Sequence, residues 1–429
     1  MREKVQKLLI AVMINVATFY PAFVGAQQTV VDQIIIVNGG GWESMPPFSD
    51  YVTVAAYDPV SKNYNVFDTI YNQSAQSVTI DGNFAYVAAE DSLVMYDIDN
   101  YTRVAAIKLP GLQKMAVYDS LLLVSRGYGA FDDYVVVYNK NTLDSIKVFS
   151  SVSDQCNEII IVNDTAYVGV PGGYGSSSGK IAVIDLNSLD FVREENLDTL
   201  GKEIGSLCTD GNKIYTVNSI GWMENGVVSH YDVALAMVDT FVQVGTPASK
   251  GVMLKDGLLY ANYGQGLGTY NINTLQIQDT AIIPLSYTGS AFDTINSLFY
   301  LSTTDYFSYG KTYVYDFTGT VVDSFDVGIS PEAIAVSYKT TVGIIDLDFI
   351  KTVNVFPIPA KDEIIITANG NLNYFNILIT DIAGRAVLRQ ENLAGGNALK
   401  INIAELLNGH YLITVSNTDF SVTKKFIKN

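Results

Sequence analysis

The chain is poor in the residues that most often carry chemistry. It has two cysteines and two histidines in 429 residues, and no Cys/His spacing that would build a metal site. Charged residues make up only 16%. Acidic residues outnumber basic ones by 44 to 26, for a net charge of −18. An acidic surface repels phosphate backbones, so nucleic acid is excluded as an expected partner. Beyond the first residues, no stretch approaches the ~18 apolar positions that a membrane span needs. No phosphate-binding loop and no nucleophile signature occur. Asp132-Asp133 and Glu194-Glu195 are paired acids, but neighbours along a strand point to opposite faces, so neither is an acid/base couple by itself. No cofactor and no catalytic residue are expected.

What is abundant is apolar residue (48%), with 34 Gly and 28 Tyr. Such a chain has ample core, and its tyrosines and glycines favour many short strands with tight turns. The N-terminus has a basic head (Arg2, Lys4, Lys7), the run "LLIAVMINVATFYPAFV" and small residues before Gln27. This pattern predicts an export signal over residues 1–26. Its removal would leave a still more acidic chain, because it takes away three basic residues and only Glu3. The last 77 residues hold seven basic and six acidic residues, so the acidity lies before them.

A repeat organises the middle. Tyr57-Asp58 recurs as Tyr96-Asp97, Tyr138-Asn139, Ile184-Asp185, Tyr231-Asp232, Tyr270-Asn271 and Tyr315-Asp316, at spacings of 39, 42, 46, 47, 39 and 45 residues. A second landmark precedes six of these, at Tyr86, Leu123, Tyr167, Tyr215, Tyr260 and Tyr300. Turn pairs such as Asp81-Gly82 and Asp256-Gly257 sit just before most of the second landmarks. Four strands in each unit of about 40–45 residues is the pattern of a propeller blade. The motif Asp or Asn would then fix a turn through its side chain; a catalytic role repeated in seven copies, two of them asparagine, would make no chemical sense. The first unit, from Ile34, lacks an innermost strand, and "ISPEAIAVSY" (Ile329–Tyr338) has none of its own hairpin after it. We expect it to close the ring by completing the first blade, which leaves no open sheet edge. The fold class expected is all-β: a seven-bladed β-propeller followed by a β-sandwich.

"AYVAAED", "AYVGVPG" and "IYTVNSI" resemble the YVTN-type seven-bladed propellers of Bacteroidetes. The four tail blocks, "VNVFPIPAKDEIIITA", "NILITDIAGRAVLRQ", "INIAELLNGHYLITVS" and "VTKKFIKN", resemble the C-terminal sorting domain (type A) of the type IX secretion system, an Ig-like sandwich. The chain departs from that family at Pro357-Ile358-Pro359, where Pro-Asn-Pro is usual. The resemblance implies passage across the outer membrane through the type IX machinery, then release or surface attachment. The expected organisation is signal 1–26, propeller 30–338, linker 339–352 and sorting domain 353–429.

Two sets of residues are candidate ligand contacts. Gly-rich loops between the second and third strands of the blades carry Trp42, Tyr128, Tyr174, Trp222, Tyr263 and Tyr306 on one expected face. Ten residues before the second landmark lie Gln76, Gln113, Asn157, Gly205, Lys250 and Ser290, with Glu332 in the equivalent place for the first blade. These should ring the mouth of the central channel. The expected function is a secreted or cell-surface, non-enzymatic binding protein for a small molecule. "IIIVNGGGW" followed by "YVTVAAYDP" resembles the opening of surface propellers that capture cobalamin, which points to a corrinoid. Adhesion or glycan binding is the alternative, and a propeller lyase or hydrolase a third. The register separates Cys156 from Cys208 by about 13 Å along adjacent strands, too far for a disulfide, so both should be free thiols. His230 sits where other repeats carry mostly apolar residues, and should be core filler.

Overall fold

The computed structural model describes residues 27–41, 43, 48–172, 178–221, 224–342, 353–368, 374–382, 384–394, 398–416 and 421–429. The predicted export signal, Trp42, Tyr174, Trp222 and residues 343–352 of the expected linker lie outside them. Two compact units are present, and Thr29–Lys339 forms one.

This unit holds seven four-stranded antiparallel sheets, the blades of a β-propeller. The innermost strands of blades 2 to 7 are Ser77–Asp81, Leu112–Tyr118, Ile159–Val162, Ile204–Thr209, Ser249–Lys255 and Ser290–Asp293. Blade 1 is composite. Its innermost strand is Pro331–Val342, hydrogen-bonded to Gln27–Asn38, with Val52–Asp58 and Asn63–Ile70 outside. The closure inferred from the sequence is therefore present, and both strands run longer than expected. Ile329 belongs instead to the last strand of blade 7, Val321–Ile329. At this seam Tyr57 of blade 1 stacks on Phe325 of blade 7 with ring centroids 3.6 Å apart, and its hydroxyl donates to Asp323 Oδ2 at 3.2 Å. Burial, reinforced by the Asp323 carboxylate, pushes the Tyr57 phenol up to about 12.

The repeat landmarks occupy the places their chemistry suits. Tyr86, Leu123, Tyr167, Tyr215, Tyr260 and Tyr300 are all buried in second strands between sheets. Burying each contributes roughly 1.5–3 kcal/mol. In every blade the motif Asp or Asn accepts a backbone N–H two or three residues on. Asp58 binds Val60 N at 2.8 Å, Asn139 binds Asn141 N at 2.9 Å, Asp185 binds Asn187 N at 2.9 Å and Asp316 binds Thr318 N at 2.9 Å. Asp97, Asp232 and Asn271 do the same. The recurring Tyr-Asp pair is thus a core side chain followed by a turn clamp.

The other unit contains the C-terminal residues as a β-sandwich. Val353–Phe356, Glu363–Ala368 and Leu399–Asn402 form a three-stranded sheet. Ala386–Ala394, Tyr374–Asp381, Gly409–Ser416 and Ser421–Lys428 form the four-stranded one. Alternate residues fill its core, as in Ile364 with Ile366, Ile377 with Ile379, and Ile413 with Val415. Among the described residues no helix is long and apolar enough to cross a membrane.

Candidate functional site

The innermost strands start at one end of the propeller, and their first residues enclose a cavity of about 560 Å³. Every blade contributes to it. Gln76, Gln113, Asn157, Gly205, Lys250, Ser290 and Glu332, the seven register-equivalent positions, all lie on its wall. They share a level because the blades repeat one register, so equal steps back from the buried landmark reach equal depth in the channel.

Their polar capacity is unequal. Asn157 is spent within the fold: its Nδ2 donates to Ile204 O of the next blade, and its Oδ1 accepts Glu158 N at 2.6 Å. Gln76 is also engaged, donating to Ser74 Oγ at 2.8 Å and accepting Glu90 N. Lys250 Nζ donates to Thr288 O at 3.1 Å. Glu332 Oε2 accepts Ala75 N at 2.9 Å. Gln113 has no side-chain hydrogen bond among the described residues.

Lys114 and Glu158 also line the cavity, and sequence comparison passed over both. Each is one residue beyond a ring position. Strand alternation would turn such a neighbour away from the channel. However, the ladder of blade 3 shifts register between Leu112 and Met115, and Glu158 precedes the first paired residue of its strand, Ile159. Outside a regular ladder, consecutive side chains can face the same space. A charged residue just before a short apolar strand was the available signal.

The wall therefore carries two carboxylates and two ammonium groups, none joined in a direct ion pair among the described residues. Burial pushes the Glu158 carboxyl above its usual range, opposed by the Lys114 ammonium. Burial likewise raises Glu332, opposed by Ala75 N–H and the charge of Lys250. Lys250 is lowered by burial and by repulsion from Lys114. Partly desolvated charges that lack a close counter-ion are costly in a folded chain, and a complementary ligand relieves that cost.

Of the loop aromatics, the three among the described residues, Tyr128, Tyr263 and Tyr306, do not share one surface. Tyr306 lines the channel cavity. Tyr128, 90% exposed, lies on neither cavity wall described for this chain. Tyr263 requires correction as a ligand contact: it has no exposed surface and packs with Tyr215 and Tyr270 in the core between blades 5 and 6. The cause is its tight loop. Gly264 (φ 83°) and Gly266 (φ 148°) take left-handed backbone that favours glycine, and Tyr263 N donates to Gly266 O at 3.1 Å. The chain folds back and tucks the ring inward.

His230 is core, as its register suggested. It is 3% exposed, its Nε2 is 3.0 Å from the Tyr270 hydroxyl, and it meets Tyr215 edge-on. Burial lowers its pKa to about 4. Cys156 and Cys208 are both free thiols. Of the paired acids, Glu194 and Glu195 serve separate ion pairs, with Lys180 at 2.9 Å and with Arg193. Among the described residues, no group of three or more His, Cys, Asp and Glu is placed to hold a metal.

Comparison with known proteins bears mainly on the tail. A search of the curated proteins finds no match to the chain. Among solved structures, PorZ of Porphyromonas gingivalis, a bacterial surface component of the type-IX secretion system, is 14% identical with a TM-score of 0.47. That alignment covers 92% of this chain and 58% of PorZ, so the chain spans less than two thirds of PorZ's length. The dihydro-heme d1 dehydrogenase NirN is 16% identical over 71% of this chain and 75% of its own, with a TM-score of 0.46. The computationally designed Ika8 protein is 11% identical over 78% and 93%, with a TM-score of 0.46. Likeness of this order says nothing about activity. Residues 354–429 match the family described as the secretion system C-terminal sorting domain, so the C-terminal sandwich is a type IX sorting domain and the protein is a secreted or outer-membrane surface protein.

Proposed function

We propose that this protein is a surface-exposed or released binding propeller of YVTN type, exported by its 1–26 signal and sorting tail, that takes a small polar ligand at the channel mouth. One observation carries the reading. Seven equivalent positions, one from each blade and including Lys250 and Glu332, converge on a single cavity that also holds Lys114 and Glu158. A ligand with both charge signs, or with many amides, matches that wall: ammonium groups and Gln113 donate, carboxylates accept. Binding rather than turnover is favoured, because the sequence carries no phosphate-binding loop and no nucleophile signature.

Cobalamin is the specific probe, since the corrin ring is fringed with amides. The test is a thermal-shift screen of cobalamin and of zwitterionic small molecules against wild type and the Lys114→Met/Glu158→Gln variant. The expected result is at least one stabilising compound whose shift disappears in the variant. A screen without a hit, or a shift retained in the variant, contradicts the proposal.

A further inference from the structure

A second cavity, of about 590 Å³, lies at the seam where blade 7 meets blade 1. Its size falls within the range of ordinary ligand sites, roughly 300–1,000 Å³. It shares no residue with the channel cavity. Tyr51, Tyr64 and Tyr309 stand on its wall together with Asp50 and Asp326. Tyr309 is 80% exposed, so its ring face is open. The aromatic surface continues outward from Tyr51, which meets Phe48 and Tyr71 edge-on at 6.2 and 5.0 Å.

The polar groups of this wall have capacity left over. The Tyr64 hydroxyl accepts from Asn38 Nδ2 at 3.0 Å and from Gly328 N at 3.3 Å, so its own O–H remains to donate. The hydroxyls of Tyr51 and Tyr309 have no hydrogen-bond partner among the described residues. Asp50 uses Oδ1 to hold Gly41 N at 2.8 Å and keeps the rest of its carboxylate available. Behind the wall, the side-chain oxygen of Asn38, a residue 1% exposed, has no partner among the described residues.

We propose that this seam cavity binds a neutral oligosaccharide. Sugars present apolar C–H faces that lie against aromatic rings, and hydroxyls that both donate and accept. The seam offers rings, free donors on tyrosine and free acceptors on aspartate together. A purely apolar ligand would leave those groups buried and unpaired, at a cost for each. An organic cation would also use the rings, but Asp326 is already paired with Lys311 at 2.7 Å, so only Asp50 would remain to hold its charge.

The test is an array of neutral cello-, xylo-, manno- and malto-oligosaccharides probed with the full chain, followed by titration of the best binder. Retention on at least one of these sugars is expected. Tyr309→Ala should weaken it about tenfold or more, and Asp50→Asn should also weaken it. Tyr309 is so exposed that its truncation leaves folding unchanged, which an unaltered melting temperature checks. Gln113→Ala, at the other cavity, should leave sugar binding unchanged. A blank array overturns the proposal, as does binding that survives Tyr309→Ala, or a seam that responds to tetramethylammonium and to no sugar. None of these outcomes bears on the channel mouth.

Discussion

Replacing His230 by phenylalanine tests the interior electrostatics of the propeller. His230 is buried between Tyr215 and Tyr270, and its folded pKa is about 4 against an ordinary 6.5. A depressed pKa means that the fold holds the neutral ring. Above about pH 6.5 the folded and unfolded chains are both neutral here, and the site contributes nothing that depends on pH. Between 6.5 and 4 the unfolded chain binds a proton that the folded chain refuses, so stability falls as pH falls. At about 1.4 kcal/mol per unit, the full loss is about 3 kcal/mol. His230→Phe removes this titration and keeps a ring of similar size, at the fixed cost of the Tyr270 hydrogen bond, about 1 kcal/mol. The assay is urea unfolding of both proteins at about pH 7 and about pH 4.5, followed by tryptophan emission. The variant should be the less stable protein at the higher pH. It should close the gap and overtake by about 1.5 kcal/mol at the lower pH, where the loss in wild type has reached about 2.5 kcal/mol. Parallel losses in the two proteins would refute the buried neutral histidine.

Three further outcomes follow from the repeat and its closure. Ile36 is fully buried in the strand that pairs with the closing strand, so Ile36→Ala should cost about 2–5 kcal/mol in unfolding free energy. Ala236 follows the blade 5 turn clamp by four residues and has φ 55°; Ala236→Gly should stabilise by about 1 kcal/mol, read as a higher melting temperature. Asp185→Ala removes two backbone acceptor contacts, to Asn187 N and Ser188 N, and should lower stability by about 1 kcal/mol.

The blades were legible because burial and turn chemistry repeat. A tyrosine at a fixed step from an Asp turn clamp recurs in sequence and is buried in structure, and register then carried the seven mouth positions to one cavity. What lay beyond reach was local backbone geometry. Nothing in "NYGQGLG" says which way Tyr263 turns; two glycines in left-handed conformation decide it. Lys114 and Glu158 escaped because alternation assumes a regular ladder: blade 3 breaks its ladder at Lys114, and Glu158 lies just before the first paired residue of blade 4. The seam cavity was equally hidden, since Asp50 and Asp326 approach each other only through closure of the ring. The sorting tail, by contrast, was readable from its four ordered blocks alone.

Calorimetric titration of the best screened small molecule into wild type and into the Gln113→Ala/Glu158→Gln variant tests the channel mouth most directly. Saturable heat at one site per chain, lost or weakened at least tenfold in the variant, is the result expected from a wall built by all seven blades. Equal heats from the two proteins would place the ligand elsewhere and contradict the account.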